Sequence, residues 1–144
     1  MAIIKEADIR FSSVIENLSP SGLPDGESEK TETRAEGFLY IHDDRYEISF
    51  RENTEGGAVF SDITARDSEI ILKRRGAIIS DMRFSEGEAD KSLYQVPPYS
   101  FDAEIYTKKI RNELSKDGGK ISIFYTMKIG GADKNIRMKI ECSV

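Results

Sequence analysis

Apolar and polar residues alternate through most of the chain, and the alternation is clearest in residues 69–85. Successive side chains of a β-strand point to opposite faces, so this pattern predicts strands with one buried face. Two such strands flank Gly76, a residue that tolerates the positive φ of a tight hairpin turn. The inner face of the predicted hairpin carries one charge, Arg74, which is therefore expected on the core side. The other members of this face are Ile70, Leu72, Ile78, Ser80, Met82 and Phe84.

The same pattern predicts about ten strands joined by hairpin turns. Asp-Asp and Gly-Gly pairs separate the alternating runs, and both are typical of turns. Residues 101–114 fit a helix or a strand, and we expect a strand because isoleucine, tyrosine and threonine favour it. No βαβ alternation occurs. We therefore expect an all-β fold, an antiparallel meander closed into a calycin-like or lipocalin-like barrel of about eight to ten strands, with at most one short helix.

Residues 17–30 interrupt the alternation. They contain two prolines, two glycines and three serines, a composition that predicts a long flexible loop without regular structure. The two prolines at positions 97 and 98 predict a bend or a sheet edge, because neither can donate a ladder hydrogen bond. A length of 144 residues suits one domain, so residues 1–144 are expected to form a single β-barrel domain.

Charge and composition narrow the function classes. The net charge is −5, which disfavours nucleic acid and anionic membranes as partners. The basic runs at 73–75 and 108–111 are interpreted as solvated faces, with the charges alternating across a strand. The start of the chain is charged rather than apolar and no apolar membrane span is present, so we expect a cytoplasmic location.

Few residues are suited to catalysis or metal binding. The chain has one cysteine, Cys142, expected as a core thiol, and one histidine, His42, expected to be exposed beside the turn formed by Asp43 and Asp44. The Gly-Gly pairs lack the Lys-Ser/Thr that follows in a phosphate-binding loop. We therefore expect no cofactor, no metal site, no catalytic residues and no enzymatic activity.

Five short motifs occur in order along the chain: Phe50-Arg51-Glu52, Leu72-Lys73-Arg74-Arg75-Gly76, Met82-Arg83-Phe84, Tyr94-Gln95-Val96-Pro97 and Tyr125-Thr126-Met127. In order and spacing the chain resembles the YwiB-like family of small bacterial proteins of unassigned function, from about residue 9 to residue 140. Residues 96–100, Val-Pro-Pro-Tyr-Ser, depart from the expected Thr-Pro-x-Gly bend. The resemblance implies a calycin-like barrel related to lipocalins and fatty-acid-binding barrels, and it implies no activity.

The candidate site consists of Glu52 and Arg74, both expected on inner faces near strand ends. One interpretation is an ion pair that satisfies both charges, since buried charges are normally paired. The other is that Arg74 binds a ligand carboxylate or phosphate, with hydroxyl groups from Tyr94 and Tyr125. Catalysis by Glu52 is disfavoured, because a paired arginine lowers the pKa of a carboxyl group.

Two functions remain open. The preferred hypothesis is a non-catalytic barrel that binds a small, partly apolar, anionic ligand. The alternative is a protein-interaction module or homodimer with a filled barrel and no ligand. The two differ in whether the barrel has an interior cavity lined by Arg74 or is filled by Phe11, Phe50, Leu72, Met82, Phe84 and Ile123.

Overall fold

The computed structural model describes residues 2–19 and 24–144, and within them every regular element is a β-strand. No helix in these residues is long and apolar enough to cross a membrane. The ten strands are β1 Ile3–Leu18, β2 Pro24–Ile41, β3 Tyr46–Thr54, β4 Gly57–Ala65, β5 Glu69–Gly76, β6 Ile79–Ser85, β7 Ala89–Val96, β8 Tyr99–Asn112, β9 Gly118–Ile129 and β10 Ala132–Ser143.

The strands form a closed antiparallel barrel in which each strand pairs with the next and β1 closes the ring against β10. Closure gives the outermost strands partners for their backbone groups. The narrowest seam joins β6 to β7, which pair only between residues 79–81 and 93–95. The predicted all-β meander is confirmed, and residues 101–114 are confirmed as mainly strand, because they fall largely in β8.

Residues 24–30 correct one prediction. They belong to β2 and pair with β1 as far as the Leu18–Pro24 partners, and Asn17 and Leu18 belong to β1, so the loop predicted over residues 17–30 is wrong at both of its ends. Residues 20–23 lie outside the described residues. The reason is tertiary: β1 is 16 residues long and offers its backbone to a partner along its length. Pro24 is tolerated at the first residue of a strand, and Gly26 adopts a φ of 89°.

The centre of the barrel is filled by apolar side chains. All six residues named above as possible filling belong to one buried cluster. The interior therefore follows the filled alternative at its centre, and any ligand site must lie nearer an end of the barrel. The six are Phe11, Phe50, Leu72, Met82, Phe84 and Ile123.

The β5–β6 hairpin forms as predicted, with Gly76 at a φ of 108°. Because consecutive strands run antiparallel, its turn lies at the same end of the barrel as the β3–β4 and β7–β8 turns. The β7–β8 hairpin extends beyond β9 there, since Tyr99 to Asp102 pair with β7 but have no partners on β9. Arg74 lies two residues before Gly76, so it projects inward just below this end, which we call the Arg74 mouth.

Candidate ligand-binding site at the barrel mouth

One row of cross-strand partners crosses the inner face below the Arg74 mouth. The row runs from β3 to β8, and its members are Phe50, Ser61, Arg74, Ser80, Tyr94 and Phe101. Directly opposed residues of neighbouring strands share a face and have Cβ atoms about 5 Å apart. The β-sheet register therefore places a guanidinium between two serines, with an aromatic ring on either side.

Arg74 reaches across the barrel interior. Its guanidinium carbon lies 5.1 Å from the centre of the Phe11 ring, although β1 and β5 are four steps apart around the sheet. Its Nε is enclosed and has no hydrogen-bond partner in the described part of the chain. Arg74 as a whole is half-buried, and its two terminal nitrogens form no hydrogen bond or ion pair within the described residues, so they are available to a carboxylate or phosphate.

The neighbouring serines share this unsatisfied state. Ser61 is 1% exposed and Ser80 is 4% exposed. Neither hydroxyl has a hydrogen-bond partner among residues 2–19 and 24–144. Buried polar atoms in native proteins are nearly always hydrogen-bonded, so three adjacent exceptions require an explanation. An anion at Arg74 would accept hydrogen bonds from groups of this kind.

Tyr125 lies beside Arg74 and Tyr94. Burial raises the pKa of the Tyr125 phenol well above its ordinary value, the Arg74 charge lowers it, and Tyr94 raises it slightly further. The ring of Tyr125 packs against Phe84 at 4.7 Å between centroids. The structure thus brings together three of the four predicted site residues, and Tyr125 has a neutral hydroxyl at physiological pH.

Glu52 does not join them in the way the sequence suggested. Glu52 is half-buried and lies two residues nearer the rim than the row that contains Arg74. Its cross-strand partner Val59 also pairs with Gly76, which is two residues beyond Arg74. No ion pair links Glu52 to Arg74 in the described residues, so the interpretation as a self-satisfied pair is wrong. The physical reason is direction: Arg74 extends toward Phe11 across the interior rather than up toward the rim.

Exposed apolar side chains complete the Arg74 mouth. Val96 and Phe101 are 40% and 41% exposed, and Tyr99 is 66% exposed. All three occupy inward-facing positions of β7 and β8. Deeper in the barrel the inward-facing residues of the same strands, Ser92 and Ala103, are buried. They are exposed because the β7–β8 hairpin extends beyond β9. The mouth therefore combines a cation with an uncovered apolar wall.

The other reactive residues lie elsewhere. His42 lies beside the Asp43–Asp44 turn as expected, but its side chain is only 22% exposed and its Nε2 lies 3.3 Å from a Glu47 carboxylate oxygen, so the predicted exposure is wrong. Cys142 is buried, and burial raises the pKa of its thiol to about 11, which confirms a core thiol. No group of three or more metal-ligating side chains occurs in the described ranges.

Sequence reasoning missed Ser61 as a site residue, although a signal was present. In β4 the inward positions are Val59, Ser61, Ile63 and Ala65. A serine in the apolar phase of an amphipathic strand marks a buried hydroxyl, and its cross-strand partner is Arg74. Recognising this pairing from sequence would have required the register of β4 against β5, which alternation alone does not give.

Comparisons with known proteins agree with this architecture. Residues 19–141 match the family model described as Domain of unknown function (DUF1934). The chain is 27% identical over 128 residues to the uncharacterized beta-barrel protein YwiB of Bacillus subtilis (strain 168), covering 89% of this chain and 85% of that protein. The crystal structure of the ywiB protein from Bacillus subtilis superposes with a TM-score of 0.81 at 26% identity, covering 98% of this chain and 94% of that one. The chain therefore belongs to the DUF1934 family.

Proposed function

We propose that this protein is a non-catalytic, calycin-like barrel that binds a small, partly apolar anion at the Arg74 mouth. One observation carries the proposal: Arg74 Nε and the hydroxyls of Ser61 and Ser80 are enclosed on neighbouring strands without hydrogen-bond partners in the described residues. Leaving a buried polar group unpaired costs about 1–3 kcal/mol, and an occupant that accepts their hydrogen bonds would remove that cost.

The character of the ligand follows from the surroundings of Arg74. A guanidinium with free terminal nitrogens favours a carboxylate or phosphate, which it can bind through two hydrogen bonds. The rings of Phe11 and Phe101 and the side chain of Val96 offer apolar contacts to the rest of the molecule. The filled centre limits the depth of binding, so the anionic group enters first and the apolar part stays near the rim.

Binding without chemistry is the reading that this mouth supports best. General acid–base catalysis needs a group within hydrogen-bond reach of a reacting atom and with a suitably tuned pKa. The hydroxyl of Tyr125 stays protonated because burial raises its pKa, so it serves as a donor rather than a base. The proposal also places the protein in the cytoplasm, consistent with a single unpaired, buried cysteine.

The test compares anions on the parent protein and two methionine variants. Octanoate and inorganic phosphate are titrated while the thermal midpoint and binding heat are measured, after unfolding and refolding to remove bound molecules. A ligand at about 100 times its Kd stabilises by about 2.7 kcal/mol. Arg74→Met should abolish this stabilisation, whereas Lys73→Met should retain it, because Lys73 is the adjacent, exposed residue on the outer face. An equal response of both variants, or no response to either anion, would contradict the proposal.

A second candidate is a homodimer or protein-interaction module that uses the same rim. Its support is the exposed apolar tip of the β7–β8 hairpin, above all Tyr99. Light scattering across a range of concentrations tests it. A stable dimer that Tyr99→Ser dissociates would favour self-association, and a monomer at every concentration would remove the homodimer.

A further inference from the structure

Cations are concentrated on the outer face of β8, β9 and β10. A groove of about 450 Å³ there is lined by five cationic side chains and no carboxylate, although the chain as a whole has a net charge of −5. We call it the basic groove. Its lining residues are Ser12, Ser13, Val14, Lys109, Arg111, Lys120, Ser122, Ile123, Phe124, Arg137, Met138 and Lys139.

The strand register explains the shape and charge of the groove. Ser122 on β9 is directly opposed by Arg111 on β8 and Lys139 on β10, so a short side chain lies between two long ones. A β-bulge between Thr107 and Lys109 interrupts the alternation of β8. Lys108 and Lys109 are consequently both exposed on the outer face, which corrects the expectation that charges alternate across this strand.

Three cations in and beside the basic groove have no acidic partner among the described residues. Lys108, Lys109 and Arg137 form no ion pair in the part of the chain that the structure describes. Lys120 on β9 lies directly opposite Glu141 on β10, and its charge lowers the pKa of that carboxyl. Lys108 and Arg137 each lie 4.8 Å from the centre of the Phe124 ring, which holds them over the floor.

The other two cations of the groove, Arg111 and Lys139, have acidic neighbours. Arg111 has a carboxylate oxygen of Glu113 at 3.8 Å, and Lys139 has one of Glu141 at 3.1 Å. Both acids lie outside the lining, so they leave the floor without negative charge. An unbalanced cluster of this kind on an otherwise acidic protein attracts a polyanion locally.

We propose that the basic groove binds a single strand of nucleic acid through its phosphates. The cations of β8 and β10 stand two strand spacings apart, about 10 Å, which is room for one strand rather than a duplex. An acidic peptide fits the basic groove less well than a nucleic acid strand does. The three strands are paired on both sides and offer no free backbone edge, and the one ring in the groove is already covered by Lys108 and Arg137.

Binding through phosphates predicts a definite salt dependence. For single strands log K falls by about 0.7 per log unit of salt for each phosphate neutralised, so three unpaired cations give a slope of roughly −2.1. Affinity should then fall about twenty-fold between about 50 mM and 200 mM salt. The double variant Lys109→Gln/Arg137→Gln should bind at least tenfold more weakly at the lower salt, with a slope of roughly −0.7.

The experiment measures fluorescence anisotropy of a labelled oligouridylate on the full chain. Arg51→Gln/Lys73→Gln is the matched control. It removes the same charge from the outer face of β3 and β5, and Arg51 likewise lies over a phenyl ring, that of Phe60, at 5.5 Å. Lys109→Gln/Lys120→Gln is a second groove variant should the first fail to fold by circular dichroism.

The proposal is supported if both groove variants lose affinity and the control does not. It is overturned if the parent protein does not bind at low salt, or if the control loses as much affinity as the groove variants. Competition by poly-glutamate as strong as that by unlabelled oligouridylate would also overturn it, because an acidic polypeptide would then fit the groove equally well.

Discussion

Replacing Arg74 with methionine is the most informative change to the barrel interior. Methionine has a similar reach and keeps the apolar stem, but it has no group that needs a hydrogen bond. Within residues 2–19 and 24–144 the enclosed Arg74 Nε has no hydrogen-bond partner, and the guanidinium lies 5.1 Å from the Phe11 ring centre. The free energy of unfolding should therefore respond to two opposing contributions.

The relieved cost exceeds the lost attraction. An unsatisfied buried donor costs about 1–3 kcal/mol, and a cation–π contact contributes about 0.5–2 kcal/mol. We therefore expect ligand-free Arg74→Met to be about 1 kcal/mol more stable than the parent. For a chain of this size that raises Tm by roughly 3 °C. If Arg74 were instead ion-paired with a buried carboxylate, Arg74→Met would leave that charge uncompensated and lower the free energy of unfolding by about 3–5 kcal/mol.

Thermal and urea unfolding followed by circular dichroism provide the assay, on refolded protein in phosphate-free buffer. Lys73→Met is the control and should change stability by less than about 0.5 kcal/mol, because Lys73 is exposed. A loss of about 2 kcal/mol or more in Arg74→Met alone would refute the reasoning. It would mean that Arg74 is paired in solution and does not await a ligand.

Three further changes test the account. Ser80→Ala should leave the free energy of unfolding unchanged or slightly raised, because the enclosed Ser80 hydroxyl has no hydrogen-bond partner in the described residues. Ser92→Ala should lose about 1 kcal/mol, because the Ser92 hydroxyl donates a hydrogen bond to a β6 carbonyl oxygen at 2.7 Å. Equal losses of the two variants in urea unfolding would contradict the claim that the Ser80 hydroxyl is unpaired. Gly37→Ala should lower the free energy of unfolding by about 1–3 kcal/mol, because the added Cβ would collide with a β3 carbonyl oxygen. Gly56→Ala should be nearly neutral, because the nearest atom to its added Cβ is 3.7 Å away. A Gly37→Ala protein as stable as the parent would show that β2 and β3 can separate to make room. Burial raises the pKa of the Cys142 thiol from 9.0 to about 11, so its contribution to stability is complete below about pH 9 and is lost as the pH rises to about 11. Between about pH 8 and pH 10 the parent should lose about 1 kcal/mol more than Cys142→Ala, and identical pH profiles would show an exposed thiol.

Sequence periodicity was sufficient for the architecture because each strand has one buried and one solvated face. Alternation identified the β5–β6 hairpin, the turn at Gly76 and the inward direction of Arg74, all of which the structure confirms. It failed where the decisive interaction is long-range. Residues 24–30 look like a loop by composition, but the backbone of β1 gives them ladder partners that outweigh their weak strand propensity.

The candidate site was likewise predicted in part: its inward-facing residues follow from the sequence pattern, but their neighbours do not. Alternation could place Arg74, Ser80 and Tyr125 inside, but it could not show that Ser61 and Ser80 flank Arg74, because that depends on the register of β4 and β6 against β5. The expected Glu52 pair failed because a shared face does not fix the direction of a long side chain. On the outer surface, whole-chain net charge concealed the basic groove, which requires the bulge in β8 and the juxtaposition of three strands.

Native mass spectrometry of the protein purified from its own host tests the central claim most directly. The parent should carry a reproducible extra mass of a small molecule that is lost on denaturation. Arg74→Met, purified in parallel, should lack that mass, and Lys73→Met should retain it. A bare chain mass for all three proteins, or an extra mass that is indifferent to Arg74→Met, would contradict ligand binding at the Arg74 mouth.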